Sequence, residues 1–136
     1  MTKKVDLNKY ADFVDGVTSN PSKDYKSFLD ALKYLDGEGS NIHRLLTAAV
    51  GISAEGGEFM EIVKKMVFQG KPWNDDNRKH LTIELGDVMW YVMQACMALE
   101  IPLDEVIAGN VEKLKKRYPG GEFNVYQSEN RAEGDL

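Results

Sequence analysis

Apolar residues recur every three or four positions along most of the chain, a spacing typical of amphipathic α-helices. It predicts two short helices before residue 40, long helices from about 42 to 69 and from about 76 to 99, and a further helix from about 104 to 118. Gly70, Pro72 and Pro119 mark the clearest breaks. No stretch carries the turn signals of a β-hairpin. The pattern therefore predicts an all-α protein, an antiparallel helical bundle with short connections.

Three glycines interrupt the first long helix of this pattern. Gly51, Gly56 and Gly57 each cost up to about 1 kcal/mol relative to alanine in a helix interior. They indicate either a kink in the helix or a place where another segment approaches it closely.

Four acidic residues lie on or beside the apolar faces of the two long helices. On a helical wheel, Glu55 falls near the middle of the apolar face of the first helix and Glu58 on its edge. Glu84 falls on the apolar face of the second helix, with Asp87 at the edge. If the two helices pack antiparallel, the four carboxylates converge.

Converging carboxylates need positive charge, because a buried unpaired carboxylate loses several kcal/mol of solvation. Mg²⁺ prefers oxygen ligands and would remove the conflict. The alternative is a set of salt bridges along the helix seam, the usual explanation for a single Glu-x-x-Glu pair. The repetition on two apolar faces favours a metal site. A di-iron bundle is excluded, because neither His43 nor His80 lies three residues after a glutamate.

The last predicted helix ends in basic residues. Asn110 lies on its apolar stripe, and Lys113 and Arg117 follow on one flank. These cations suit the C-terminal end of a helix dipole and need no function. Alternatively, they hold phosphates beside the metal, with Gly120 and Gly121 letting the backbone approach. The spacing leaves both interpretations open.

Composition narrows the possible partners. The 136-residue chain has a net charge of −5, so it lacks the general basic character of a nucleic-acid-binding protein. Its one cysteine, Cys96, lies in an apolar run and suits a small core residue in a reducing cytosol. No secretory leader or membrane-spanning run is visible. We expect a soluble cytoplasmic protein, of a bacterium or a phage-infected cell, that binds neither nucleic acid nor membrane.

Three segments, in chain order, resemble the MazG-like all-α nucleoside triphosphate pyrophosphohydrolases: EGGEFMEIVKK, ELGDVMWY and NVEKLKKRYPGGEF. The family pattern is Glu-x-x-Glu on one helix, Glu-x-x-Asp on the next, and an Asn-led basic helix ending in Arg-aromatic-Pro-Gly. The resemblance covers about Leu45 to Phe123, and the ordered set is far more specific than any single pair. The segments FQGKPWND and SENRAEGD are similar to a phage and bacterial branch of this family.

This resemblance implies hydrolysis of a nucleoside or deoxynucleoside triphosphate to the monophosphate and pyrophosphate, with Mg²⁺ or a substituting Mn²⁺. It assigns both catalysis and metal binding to the four acids, Glu55, Glu58, Glu84 and Asp87. It also implies a homodimer or homotetramer with sites at or near subunit contacts. The second long helix independently indicates an oligomer, because it is apolar nearly all round and Trp90 lies opposite its Leu/Val stripe.

Several further residues are candidates for contacting the substrate. On the basic helix these are Asn110, Lys113, Arg117 and Tyr118. Elsewhere, Tyr91 lies one turn after Asp87 and could contact the sugar or be a core tyrosine. Trp73 could stack on a base or plug an apolar gap, and Lys71 is a weaker phosphate candidate.

The expected organisation is a single domain over 1–136. It has N-terminal helices at 1–40, a metal- and phosphate-binding helical core at 41–119 and an irregular tail at 120–136. Two other functions stay open: a phosphoribosyl-ATP pyrophosphohydrolase, which shares the chemistry, and a non-catalytic helical interaction module whose acids form salt bridges.

Overall fold

A computed structural model describes residues 3–135, which contain seven α-helices and no β-strand. The all-α prediction is therefore confirmed. The helices are α1 Leu7–Gly16, α2 Asn20–Lys23, α3 Tyr25–Gly37, α4 Ile42–Phe68, α5 Asp75–Leu99, α6 Leu103–Arg117 and α7 Val125–Glu129.

The chain divides into two compact units, the first ending at His43 and the second beginning at Arg44. The sequence predicted a single domain over 1–136, with N-terminal helices at 1–40 and a helical core from residue 41. The first unit contains α1, α2 and α3. Asp6 caps α1 through the amides of residues 8 and 9, and Asp24 caps α3 through the amide of Ser27 at 2.9 Å. Short polar caps of this kind satisfy amides that have no partner within the helix.

The helix ends on both sides of the α4–α5 connection are capped. Gly70 has a φ of +71°, and the amide of Lys71 donates to the carbonyl of Lys65 at 3.1 Å, which completes a C-terminal cap of α4. The side chain of Asn74 caps α5 by accepting from the amide of Asn77 at 2.9 Å. The buried side-chain amide of Asn77 also donates to the carbonyl of Pro72 at 2.6 Å. The turn predicted at this position is therefore confirmed.

Helices α4 and α5 run antiparallel. Arg44, near the start of α4, contacts Met97, near the end of α5, with 3.4 Å between the guanidinium nitrogen and the sulfur. Farther along, Gly51 lies against the ring of Tyr91 so closely that a Cβ at this position would overlap it. Helix α4 continues without interruption through its three glycines. The close approach indicated by the sequence is thus real at Gly51, whereas open space surrounds Gly56.

The C-terminal tail is more regular than expected. The tail over 120–136 was expected to be irregular, but Val125–Glu129 forms the short helix α7. The reason is local, because the side chain of Asn124 accepts from the amide of Gln127 at 3.0 Å and caps the helix.

The second unit leaves much of its apolar surface uncovered. Few of its described residues are buried, namely Ala48, Gly51, Ile62, Asn77 and Cys96. Burial of Cys96 agrees with its assignment as a core residue. Large apolar side chains are exposed on all three long helices, among them Val50, Met60 and Val67 on α4, Ile83, Leu85, Met89, Met93 and Met97 on α5, and Val106, Ile107 and Val111 on α6. No helix within residues 3–135 is long and apolar enough to cross a membrane.

Candidate metal and nucleotide site

Three carboxylates meet where α4 crosses the middle of α5. Glu55, Glu84 and Asp87 each offer an oxygen, and these oxygens lie within 4.8 Å of one another. We call these three residues the acidic cluster. Glu55 and Glu84 are half-buried, whereas Asp87 is exposed. The antiparallel packing produces the cluster, because it sets the Glu55 turn of α4 beside the turn of α5 that carries the other two acids.

The acidic cluster is electrostatically unfavourable on its own. Burial raises the pKa of Glu55, and so do its interaction with Glu84 and the negative charges of Asp87, Glu84 and Glu58. A raised pKa means that the local environment disfavours the ionised carboxylate. The site therefore accumulates negative charge without equivalent compensation from the surrounding protein.

Glu58, the fourth predicted ligand, does not belong to the acidic cluster. It is exposed one turn along α4, although its charge still contributes to the raised pKa of Glu55. Side chains three residues apart on a helix point in directions that differ by about 60°. Glu55 faces α5, and Glu58 therefore lies at the rim of the site.

His80 was not considered for this site from the sequence. Its Nε2 lies 3.1 Å from Oε1 of Glu84, whose side chain is only 14% exposed. The sequence did contain a signal for this contact, because His80 and Glu84 are four residues apart and such residues share a helix face. His80 thus contacts the Glu84 carboxylate from one turn earlier on α5.

A cavity of about 320 Å³ opens beside the acidic cluster and is lined by Glu55, Asp87, Trp90 and Tyr91. Tyr91 was a predicted substrate contact. Trp90, which lies opposite the Leu/Val stripe of α5, lines the same cavity as Asp87. The two residues are three apart on α5, so their directions differ by only about 60°.

The predicted phosphate-binding residues of α6 meet the C-terminal tail. Arg117 donates from Nε and Nη2 to the two carboxylate oxygens of Asp135, each at 2.8 Å. Lys113 Nζ lies 3.6 Å from the same carboxylate. These contacts raise the pKa of Arg117 and, through its hydrogen bonds and charge, lower that of Asp135. Asp135 had no sequence signal, because a single carboxylate in a polar tail has no helical periodicity to place it.

A second cavity, of about 370 Å³, lies between α6 and the tail. Lys113 and Asp135 line it, together with Gly109, Glu112, Lys116, Ala132, Glu133 and Gly134. It shares no lining residue with the cavity beside the acidic cluster. The acidic cluster and Lys113 are thus not brought to one cavity within the described chain.

The remaining predicted contacts are dispersed. Asn110 is exposed rather than buried on its stripe, and Tyr118 packs against Phe123 with 5.8 Å between ring centroids. Lys71 is half-buried in the α4–α5 connection, and Trp73 is 70% exposed there. Ten residues of helix separate this connection from Glu84, which corresponds to about 15 Å along the axis.

Residues 44–121 match the MazG nucleotide pyrophosphohydrolase domain. The chain belongs to the MazG family. It is also 37% identical over 87 residues to the Gene 37 protein of Mycobacterium phage L5, an alignment that covers 62% of this chain and 75% of that protein. This relative supports the phage branch indicated by the sequence. No solved structure matches the chain significantly.

The MazG match covers α5, α6 and all of α4 except its first two residues, and it therefore contains the whole acidic cluster. Asp135 lies outside it. MazG proteins typically depend on a divalent metal ion. The donor set of the acidic cluster fits such an ion, because all three groups are hard oxygen ligands. Around a bound Mg²⁺, adjacent oxygens are about 3 Å apart and opposite ones about 4.2 Å, so oxygens that lie up to 4.8 Å apart would have to move closer on binding.

Proposed function

We propose that this MazG protein hydrolyses a nucleoside or deoxynucleoside triphosphate to the monophosphate and pyrophosphate in a Mg²⁺-dependent reaction. The observation that carries the proposal is the acidic cluster of Glu55, Glu84 and Asp87 inside a matched pyrophosphohydrolase domain. We infer Mg²⁺ from the all-oxygen donor set, with Mn²⁺ as a substitute.

In the proposed reaction, water adds to a phosphorus of the substrate and the anhydride bond between the α- and β-phosphates breaks. When bound, Mg²⁺ would neutralise phosphate oxygens and acidify a water molecule. Glu55, Glu84 and Asp87 would hold the ion, and His80 would keep the Glu84 carboxylate oriented through their 3.1 Å contact. Glu58, exposed at the rim, is our candidate for accepting the proton of the water.

Positive charge for the phosphates would come from α6. We propose that Lys113 and Arg117, with Asn110 beside them, stabilise phosphate charge once α6 lies next to an acidic cluster. Assembly with a second copy of the chain would bring these elements together. Support comes from the exposed apolar side chains of α4, α5 and α6, which a homodimer or homotetramer would cover. The buried thiol of Cys96, the chain's one cysteine, suits a reducing compartment, and we infer the cytoplasm.

The test measures pyrophosphate release from each ribo- and deoxyribonucleoside triphosphate with and without Mg²⁺. Glu84→Gln and Asp87→Asn should abolish release while helicity measured by circular dichroism is kept. Glu61→Gln is the matched control, because Glu61 is a glutamate of α4 outside the acidic cluster and pairs with Lys64 and Lys65 at 3.4 Å. Full turnover in both cluster variants would exclude the metal site. A melting temperature unmoved by Mg²⁺ or Mn²⁺, with no turnover, would instead favour a non-catalytic helical module.

A further inference from the structure

Two aromatic rings form a corner directly beside the acidic cluster. Trp90 and Tyr91 line the 320 Å³ cavity together with Glu55 and Asp87. The indole of Trp90 is 57% exposed, although it is the largest apolar side chain on α5. An exposed tryptophan next to a cluster of acids offers a flat apolar face on which a planar ligand can stack.

The corner is held in a fixed geometry. The Tyr91 ring lies against Gly51 of α4, where no side chain would fit between them. The rings of Trp90 and Tyr91 are nearly perpendicular, at 87°, with 4.9 Å between their centroids, which is a favourable edge-to-face arrangement. Gly51 thus fixes Tyr91, and Tyr91 in turn supports one side of the indole.

We propose that Trp90 receives the nucleobase of the substrate, which stacks on the exposed indole while the phosphates lie at the acidic cluster. The inference rests on the proposed function. One cavity contains both the aromatic corner and two of the three acids, so a single nucleotide can reach both. Its volume lies at the lower end of the roughly 300–1,000 Å³ typical of small-molecule sites.

Stacking recognises the π-face that every base possesses. The two carboxylates of this cavity, Glu55 and Asp87, are engaged with the metal in the proposed reaction. The corner therefore separates nucleotides from inorganic polyphosphates rather than one base from another. Trp90 is a specificity residue in this sense, and it takes no part in bond cleavage.

The decisive experiment compares Trp90→Leu and Trp90→Phe with wild type in two measurements. One is the KM for nucleoside triphosphates, and the other is the inhibition constant of inorganic tripolyphosphate, which has no base. Trp90→Leu should raise KM roughly 5- to 150-fold, the usual effect of removing one base-stacking ring. It should leave kcat and the inhibition constant of tripolyphosphate unchanged. Trp90→Phe should bring KM most of the way back to the wild-type value.

Met89→Leu is the control, because Met89 is an exposed neighbour on α5 that does not line the cavity. Equal effects of Trp90→Leu on nucleotide and tripolyphosphate, or no effect on either, would overturn the proposal. So would an unchanged KM accompanied by a smaller mass in analytical ultracentrifugation, because Trp90 would then belong to a subunit contact.

A second measurement separates this inference from the proposed function. In Trp73→Phe, Trp90 is the single tryptophan, and its fluorescence reports on stacking without any turnover. Nucleoside monophosphates should quench this fluorescence saturably, and inorganic phosphate should not. Absence of saturable quenching would overturn the stacking proposal even in an active enzyme. Quenching without hydrolysis would support stacking and count against the proposed function alone.

Discussion

Arg117 and Asp135 form a two-pronged ion pair that fastens the C-terminal tail to the end of α6. Both hydrogen bonds are 2.8 Å long, and the Asp135 side chain is only 4% exposed. The planar guanidinium presents two N–H groups to the two carboxylate oxygens, and the paired hydrogen bonds fix the geometry of the contact. The tail is thus part of the second unit's structure.

Asp135→Asn should detach the tail from α6, because the amide is uncharged and offers the guanidinium one acceptor oxygen instead of two. Amide hydrogen exchange should speed up across α7 and the residues after it, with little change in α4 and α5. Glu133→Gln, an exposed acid in the same segment, should leave exchange unaltered. Unchanged protection of the tail in Asp135→Asn would show that other contacts hold it.

The same contact predicts a pH dependence. Hydrogen bonds from Arg117 and the charges of Arg117 and Lys113 lower the pKa of Asp135 below its ordinary value of 3.8. A carboxyl with a lower pKa in the folded state contributes stability that is complete above its ordinary pKa and is lost as pH falls through the folded value. Tail protection should therefore stay constant at neutral pH and disappear on acidification below about pH 4. Hydrogen exchange at a series of acidic pH values measures this, and release already at pH 6 would contradict it.

Glu55 and Glu61 should respond to pH in opposite directions in the metal-free protein. The folded-state pKa of Glu55 is raised, mainly by burial, so its ionisation destabilises the fold as pH rises above the ordinary value of 4.5. The pKa of Glu61 is lowered by hydrogen bonds from Lys64 and Lys65, so its ionisation stabilises the fold; this contribution is complete above pH 4.5 and is lost as pH falls through the lowered value.

Thermal melts with chelator at several pH values test this contrast. Glu55→Gln should gain stability relative to wild type above pH 5, and Glu61→Gln should lose it. With saturating Mg²⁺, wild type should instead be more stable than Glu55→Gln. An ion that binds only the folded state stabilises it by about 2.7 kcal/mol at 100 times its dissociation constant. Parallel pH curves for the two variants would refute the electrostatic assignment.

Gly51→Ala should destabilise the protein by about 1–3 kcal/mol, because the new methyl group overlaps the Tyr91 ring and the helices must separate. Gly56→Ala is the matched substitution in open space on the same helix and should stabilise by up to about 1 kcal/mol. Denaturant unfolding of both variants gives the comparison. Equal effects of the two substitutions would mean that Tyr91 can move aside at no cost.

The sequence predicts the acidic cluster because helical geometry alone brings its members together. Glu55 and Glu84 lie on the apolar faces by which α4 and α5 pack, and Asp87 lies one turn from Glu84. Positions at the edge of a face are less certain. There, a rotation of about 60° decides whether a residue such as Glu58 faces the cluster or solvent.

Other features depend on tertiary contacts that periodicity does not encode. The pairing of Arg117 with Asp135 spans 18 residues and joins a helix to a tail. The short helix α7 depends on the one side-chain cap from Asn124. The division of the chain after His43 likewise follows from which contacts form, and each helix taken separately contains no information about it.

The buried Asn77 gives the α4–α5 connection a fixed length. Its amide holds the Pro72 carbonyl, while Gly70 closes the preceding helix. An insertion or deletion that shifted α5 by one residue would turn its faces by about 100° and carry Glu84 away from Glu55. Most surface loops accept such changes during evolution. In this protein the connection is a spacer whose residue count determines whether the carboxylates meet at all.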